Sequence, residues 1–314
     1  AKEIMERKGV PTASYRTFTD YAEALEYVKA GSIPVVLKYD GLAAGKGVVV
    51  AMSLEEADAA LKDMLLDDRF GKGKVVVEEF LTGPEFSFMA LVRGKEVWPL
   101  ALAQDHKRAF DGDEGPNTGG MGAYSPLPYI TPEDEKFALE NIMEPVAEGL
   151  FEEGCPFEGL LYGGLMKTPQ GIKVIEFNCR FGDPETEVVL PRLETDIYTM
   201  FSAVVDGTPM PEIRWSDDCV IGFVLASKGY PGKYSKGYEI EGLEDAVADP
   251  SVRIYHMGTS VKGGKTVTAG GRVMMVTAAA ATLKEARDKA LSAVGKIRCN
   301  NLFHRTDIGH YVLF

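Results

Sequence analysis

Along residues 20–30 the apolar positions Ala24, Leu25 and Val28 share one face of a 3.6-residue period, and the β-branched run Val35-Val36-Leu37-Lys38 follows Pro34. The pattern predicts a helix, a turn and a strand. A glycine-rich stretch at 41–47 leads straight into a second strand at 48–51, and Ser53-Leu54-Glu55-Glu56 reads as a capping box opening a helix to about Leu66. A third strand at 75–79 completes a small α/β unit. From Glu85 the strands lengthen. Those at 86–92 and 96–103 flank the turn Arg93-Gly94-Lys95, and a long polar loop at 104–125, a helix at 132–153 and strands at 160–167 and 172–177 follow. A third region from about Asp217 has strands at 220–226, 252–256 and 272–276 and a helix at 283–297. It is rich in glycine turns and poor in clustered titratable groups, which marks it as mainly supportive. Ala1 rather than Met opens the chain, and residues 1–8 read as the later part of a helix ended by Gly9, so a segment is expected upstream.

Composition narrows the class. The 314 residues are about two domains' worth, and 45% apolar content is ordinary for globular cores. With 34 Lys and Arg against 47 Asp and Glu the net charge is −13, which repels a phosphate backbone, so no nucleic-acid partner is expected. A few local cations can still hold a small phosphorylated substrate. Cys155, Cys179, Cys219 and Cys299 are widely spaced with no Cys-x-x-Cys, which argues against disulfides and zinc and for a reducing, cytoplasmic setting. Apolar runs fall short of the roughly 18 residues of a membrane helix, so no membrane partner is expected. No heptad stands out, and a monomer is the simplest state.

Several segments can carry chemistry. The loop at 41–47 joins two strands, whereas a Rossmann fingerprint or P-loop runs from strand into helix, so neither motif is matched. Such a flap can lay the N–H groups of Gly45 and Gly47 and the ammonium of Lys46 over phosphates, with Lys38 beneath; an ordinary hairpin with a solvated lysine has the same pattern. Glu78-Glu79-Phe80-Leu81 ends a strand with two acids and two apolar residues. It can offer backbone groups to an adenine edge, with Glu85 within reach of a ribose, or serve as a linker with surface acids. Period-2 alternation over Val174-Ile175-Glu176-Phe177-Asn178 puts Glu176 and Asn178 on one face, as two oxygen ligands of Mg²⁺ or as an exposed strand face. In the turn that follows, Arg180 can steady a transferring phosphoryl group and Asp183 can hold an amine, or the two can form a structural pair. Lys107 and Arg108 precede Gly119-Gly120-Met121-Gly122, whose glycines can expose consecutive N–H groups as an anion nest or form a surface loop. His256, His304 and His310 have no partner at metal-ligand spacing and read as structural.

Taken together these stretches resemble the glycinamide ribonucleotide synthetases, the phosphoribosylamine-glycine ligases of the ATP-grasp superfamily. The resemblance rests on Asp40-Gly41-Leu42-Ala43-Ala44-Gly45-Lys46-Gly47-Val48, Glu78-Glu79-Phe80-Leu81, Gln104-Asp105-His106-Lys107-Arg108, and residues 115–126 and 174–185. It extends through Gly270-Gly271-Arg272 to Asp307-Ile308-Gly309. It implies an α/β (α+β) ATP-grasp fold of two lobes gripping ATP, with a small lobe or lid at 14–81, a large lobe at 82–215 and a smaller β-rich C-terminal domain at 216–314. Residues 1–13 would end a linker helix from an N-terminal βα domain of about a hundred residues that is missing here. The implied reaction joins glycine to 5-phosphoribosylamine through a glycyl phosphate, with ATP and Mg²⁺ (or Mn²⁺). Lys38, Gly45, Lys46, Gly47, Glu78, Glu79, Phe80, Leu81 and Glu85 would hold ATP, and Glu176 and Asn178 the metal. Arg180 and Asp183 would be catalytic. Lys107, Arg108, Gly119, Gly120, Met121, Gly122, Asp183 and Pro184 would hold the substrates. The alternative is a Mg-ATP-binding fragment without turnover, because the missing domain would be expected to help hold the phosphate of phosphoribosylamine.

Overall fold

The computed structural model describes residues 1–41, 47–67 and 73–313. Gly45 and Lys46, expected on the flap, lie outside the described residues. The chain divides into two compact units, one of Pro11–Pro84 with Met166–Ile175, the other of Ala1–Val10, Glu85–Leu165 and Glu176–Phe314.

The smaller unit is a four-stranded antiparallel sheet in the order Tyr15–Phe18, Lys74–Glu79, Val35–Asp40, Val48–Ala51. Alternation fixes its two faces: Val35, Leu37 and Tyr39 are buried while Lys38 points the other way. The helices Tyr21–Ala30 and Leu54–Leu65 pack on the apolar face through Ala24, Val28, Ala57 and Leu61. Ser53 caps the second helix by accepting from Glu56 N–H. Glu56 reaches back to Met52 N–H, not to that of Ser53, so the predicted capping box closes one residue early. The edge strand Tyr15–Phe18 escapes the sequence pattern because Phe18 is its one buried residue.

In the larger unit the segment Glu85–Arg93 lies between residues 158–165 and Glu96–Pro99. The strand expected at 96–103 is regular only over Glu96–Pro99; beyond it the contact with Glu85–Arg93 continues through Leu100 N–H to the Met89 carbonyl and an isolated bridge between Ser87 and Ala103. The predicted helix at 132–153 is observed as Pro132–Ala138, a π turn at Leu139–Met143, and Glu144–Glu152. Pro145 explains the wide turn, because it lacks an N–H and its ring crowds the preceding turn.

Two expectations need correction. The stretch at 104–125 is not a loop: it carries Gln104–Asp105, Arg108–Phe110, Glu114–Asn117 and Gly122–Ser125, strands too short for alternation to reveal. Two of these join strands from the third region in a six-stranded sheet, ordered Val252–His256, Arg272–Ala280, Cys219–Ser227, Gly122–Ser125, Gln104–Asp105, with Leu302–Phe303 also on Cys219–Ser227. Nor is the third region poor in clustered charge. Arg305 is fully buried, donates twice to Asp307 and once each to Asp113 and the Arg108 carbonyl, and so ties that region to the 108–113 hairpin.

Candidate active site

In the smaller unit, Lys38 and Glu78 stand on the sheet face away from the helices, where antiparallel register puts them on diagonal positions. Lys38 Nζ lies 3.0 Å from Glu78 Oε2 and donates to the Ile175 carbonyl at 2.8 Å. Glu78 is buried and Lys38 half-buried, so the Lys38 ammonium is held in place. Glu79 is exposed and accepts from Ser14 N–H and Oγ, with Lys173 3.6 Å away. The Ser14 N–H holds its carboxyl below the usual range, although burial works the other way. The Glu79 N–H donates to the Ser14 carbonyl, so that group is not available to an adenine edge. Phe80 and Leu81 are half-buried beyond it. Gly83 then passes so close to the 158–168 strand that a Cβ would sit 2.2 Å from the Lys167 carbonyl oxygen.

The larger unit gathers most of the remaining candidates. Glu85 and Lys107 form an ion pair at 2.7 Å. Burial disfavours the Lys107 ammonium, but Glu85, Asp105 and Glu176 together raise it above the ordinary lysine value. On the strand Gly171–Asn178, Glu176 is exposed, Asn178 half-buried, and Asn178 Nδ2 donates to Glu176 Oε1 at 3.1 Å. Gly164 makes room for this pair: a Cβ there would lie 3.2 Å from Glu176 Cγ. The donor set is one carboxylate and one amide oxygen, and among the described residues no three His, Cys, Asp or Glu side chains are grouped to hold a metal. That fits Mg²⁺ of the kind that completes its octahedron with phosphate oxygens and water.

Arg180 is exposed and donates to the Phe181 carbonyl, while Asp183 is exposed and Pro184 buried. Arg108 donates to the Gly115 carbonyl and so braces its own hairpin. The expected anion nest at 119–122 is not present. Gly119 N–H donates to the Tyr230 hydroxyl, Gly120 N–H to Thr118 Oγ1 and Met121 N–H to the His106 carbonyl, so three of the four amides already have protein acceptors. Met121 and Gly122 are buried in the sheet. Gly120, at φ 112°, is where a side chain would do most harm: its Cβ would lie 2.3 Å from Pro184 Cδ and 2.6 Å from Asp105 Oδ1.

Four groups here lie outside the sequence-based site. Asp105 Oδ1 is buried with no hydrogen-bond partner, and burial and the Glu185 charge push that carboxyl well above its usual range. Glu185 is buried and accepts from Ser87 Oγ and the Tyr162 hydroxyl at 2.7 and 2.9 Å. His106 Nε2 accepts from Gly309 N–H, which assigns its proton to Nδ1. Burial, helped by the Arg305 charge, pushes His106 down to about 3, so the ring stays neutral. Arg272 joins Asp183 at 2.9 Å. In the sequence it stands in the Gly270-Gly271-Arg272 stretch of the resemblance, without a role.

Glu187 gives a pH prediction. Burial and the charges of Asp183 and Glu185 push its carboxyl up to about 7, against the pull of Arg272, and its Oε2 has no partner. The folded chain then keeps a proton that the unfolded chain releases, so stability is lost as pH rises from the unfolded value of 4.5 through about 7. A displacement of that size is worth at most about 3 kcal/mol. Glu187→Gln, which mimics the protonated form, is expected to raise the melting temperature at pH 8 and leave it nearly unchanged at pH 5. Thermal unfolding at the two pH values checks this, and an equal effect at both would remove Glu187 as the titrating group.

The phosphoribosylglycinamide synthetase ATP-grasp (A) domain family covers residues 1–186 and the C domain of the same synthetase covers 220–311. A phosphoribosylamine-glycine ligase of Halalkalibacterium halodurans is 52% identical over 311 residues, which is 98% of this chain and 72% of that protein. One of Pseudomonas aeruginosa is 48% identical over 313 residues, 98% of this chain and 73% of the relative. The crystal structure of a phosphoribosylamine-glycine ligase from Thermotoga maritima superposes with a TM-score of 0.89 at 35% identity, covering 98% of this chain and 77% of that one. At 20% identity and a TM-score of 0.71, the biotin carboxylase domain of a Hydrogenobacter thermophilus 2-oxoglutarate carboxylase, solved with MgADP, shares the fold. The likeness shows an ATP-grasp fold with a C-terminal domain, and the chain belongs to the phosphoribosylglycinamide synthetase family.

Proposed function

We propose that this protein joins glycine to 5-phosphoribosylamine with cleavage of ATP, giving glycinamide ribonucleotide, ADP and phosphate, a step of purine biosynthesis. The observation that carries the proposal is identity of about half the residues to phosphoribosylamine-glycine ligases along 98% of the chain. The chemistry follows from the poor electrophilicity of a carboxylate. A glycine carboxylate oxygen attacks the γ-phosphorus, the bond to the β–γ bridging oxygen breaks, and ADP leaves. The amine of phosphoribosylamine then attacks the acyl carbon, phosphate departs, and the nitrogen gives up a proton to leave the amide.

The protein's part is positioning and charge neutralisation. Lys38, fixed by Glu78 and the Ile175 carbonyl, is suited to hold a phosphate, and Leu81 with the Glu79 carbonyl to meet the adenine edge. Glu85, steadied by Lys107, is the candidate ribose acceptor. Glu176 and Asn178 would hold Mg²⁺, which when bound neutralises charge on the transferring phosphoryl group. Arg180 is the cation for the same group, and Asp183 is the acceptor for an amine.

The test is ADP release by the protein with Mg-ATP, glycine and freshly generated phosphoribosylamine, each omitted in turn. Release that needs all three is the expected result. Nucleotide binding without release would favour the Mg-ATP-binding reading instead.

A further inference from the structure

Arg272 opens the strand Arg272–Ala280, immediately after Gly270 and Gly271. The pairing of this strand with Cys219–Ser227 slips by one residue between Leu225 and Ala226, so that Arg272 rather than Val273 stands opposite Ala226. Slips of this kind re-aim a side chain. Arg272 Nη1 donates to the Gly119 carbonyl at 2.7 Å, to the Asp183 carbonyl at 2.8 Å and to Asp183 Oδ1 at 2.9 Å. The peptide unit on the other side of Gly119 is held as well, since its N–H donates to the Tyr230 hydroxyl at 2.9 Å.

Two glycines make these approaches possible. A Cβ on Gly119 would lie 3.0 Å from Arg272 Cζ, and one on Gly271 would lie 2.4 Å from the Tyr230 ring. Gly120 in turn meets Pro184 directly, so the 119–122 segment and the turn carrying Asp183 pack with no side chain between them. One guanidinium, only 20% exposed, thus bridges two segments 64 residues apart, each of which carries candidate substrate-binding groups.

We propose that Arg272, supported by Tyr230, is a positioning residue that fixes Asp183 against the 119–122 segment and so sets the seats of glycine and phosphoribosylamine. This rests on the ligase reading of the site. It gives the C-terminal strands a part in substrate placement, with Arg272 acting through Asp183 and Gly119.

The test compares Arg272→Met, Arg272→Lys and Tyr230→Phe in the full chain, by hydrogen–deuterium exchange over 117–124 and 180–187 and by steady-state kinetics. In Arg272→Met, exchange is expected to quicken in both segments, and KM for glycine and phosphoribosylamine to rise by about tenfold or more, with KM for ATP unchanged. Arg272→Lys should recover part of both effects, and Tyr230→Phe should quicken exchange over 117–124 alone. Arg272→Met exchange that is unchanged, or changed in one segment only, would overturn the bridge. Quicker exchange with unaltered KM for both substrates, or an equal rise in KM for ATP, would overturn the positioning role. If the unaltered protein releases no ADP in response to glycine and phosphoribosylamine while Arg272→Met still loosens both segments, the ligase reading falls and the bridge stands.

Discussion

Glu176→Gln is expected to lower turnover by about 10²–10³-fold, the loss seen when a preorganised charge-stabilising group is removed from a transition state. The substitution keeps the shape of the side chain and leaves a carbonyl oxygen to accept from Asn178 Nδ2, so the strand Gly171–Asn178 should fold as before. What it removes is one negative charge from a two-oxygen donor set. The deficit should therefore shrink as Mg²⁺ is raised, and the melting temperature without nucleotide should match that of the unaltered protein. Turnover and thermal unfolding, each measured across a Mg²⁺ series, check the two halves. Normal turnover at low Mg²⁺ would remove Glu176 as a ligand, and a lowered melting temperature would point to a structural carboxylate.

That prediction was within reach of the sequence because it depends on neighbours two residues apart. Alternation places Glu176 and Asn178 on one face whatever lies beyond the strand, and the β-branched run after the glycine-rich stretch marks the strand Val48–Ala51 just as locally. Arg272 was not, because its partners Asp183 and Gly119 lie 89 and 153 residues away and no local period reports such a distance. The 104–125 stretch failed differently. Its strands run from two to four residues, too few for a pattern; three of them pair only within the stretch, and Gly122–Ser125 alone also pairs with a distant strand, Cys219–Ser227. The glycines at 119, 120 and 122 serve close packing, not an anion nest. They admit close neighbours, the Arg272 guanidinium, Pro184 and the Gly222 carbonyl among them, and their segment does not display a row of open N–H groups to an anion.

The same long-range logic makes Arg305 the residue whose loss should destabilise the fold most. Its side chain is fully buried, pairs with Asp307 through two hydrogen bonds of 2.7 and 2.8 Å, and reaches Asp113 at 2.9 Å and the Arg108 carbonyl at 3.1 Å. Arg305→Met keeps much of the volume but leaves Asp307 and Asp113, 19% and 32% exposed, without their shared cation; removing one partner of a fully buried ion pair typically costs about 3–5 kcal/mol, which is the upper bound for this partly exposed pair. Tyr311 and His310 also lean on Asp113, so the C-terminal turn should loosen with it. Acid gives the effect a signature. Burial works against the Asp307 charge, but the Arg305 hydrogen bonds hold that carboxyl well below its usual range. Its contribution is therefore present above the unfolded value of 3.8 and lost as pH falls below it. The stability gap between the unaltered protein and Arg305→Met, measured by urea unfolding, should be widest near pH 7 and narrow towards pH 3. A gap that stays constant across that interval would mean that lost packing, and not the ion pair, accounts for the cost.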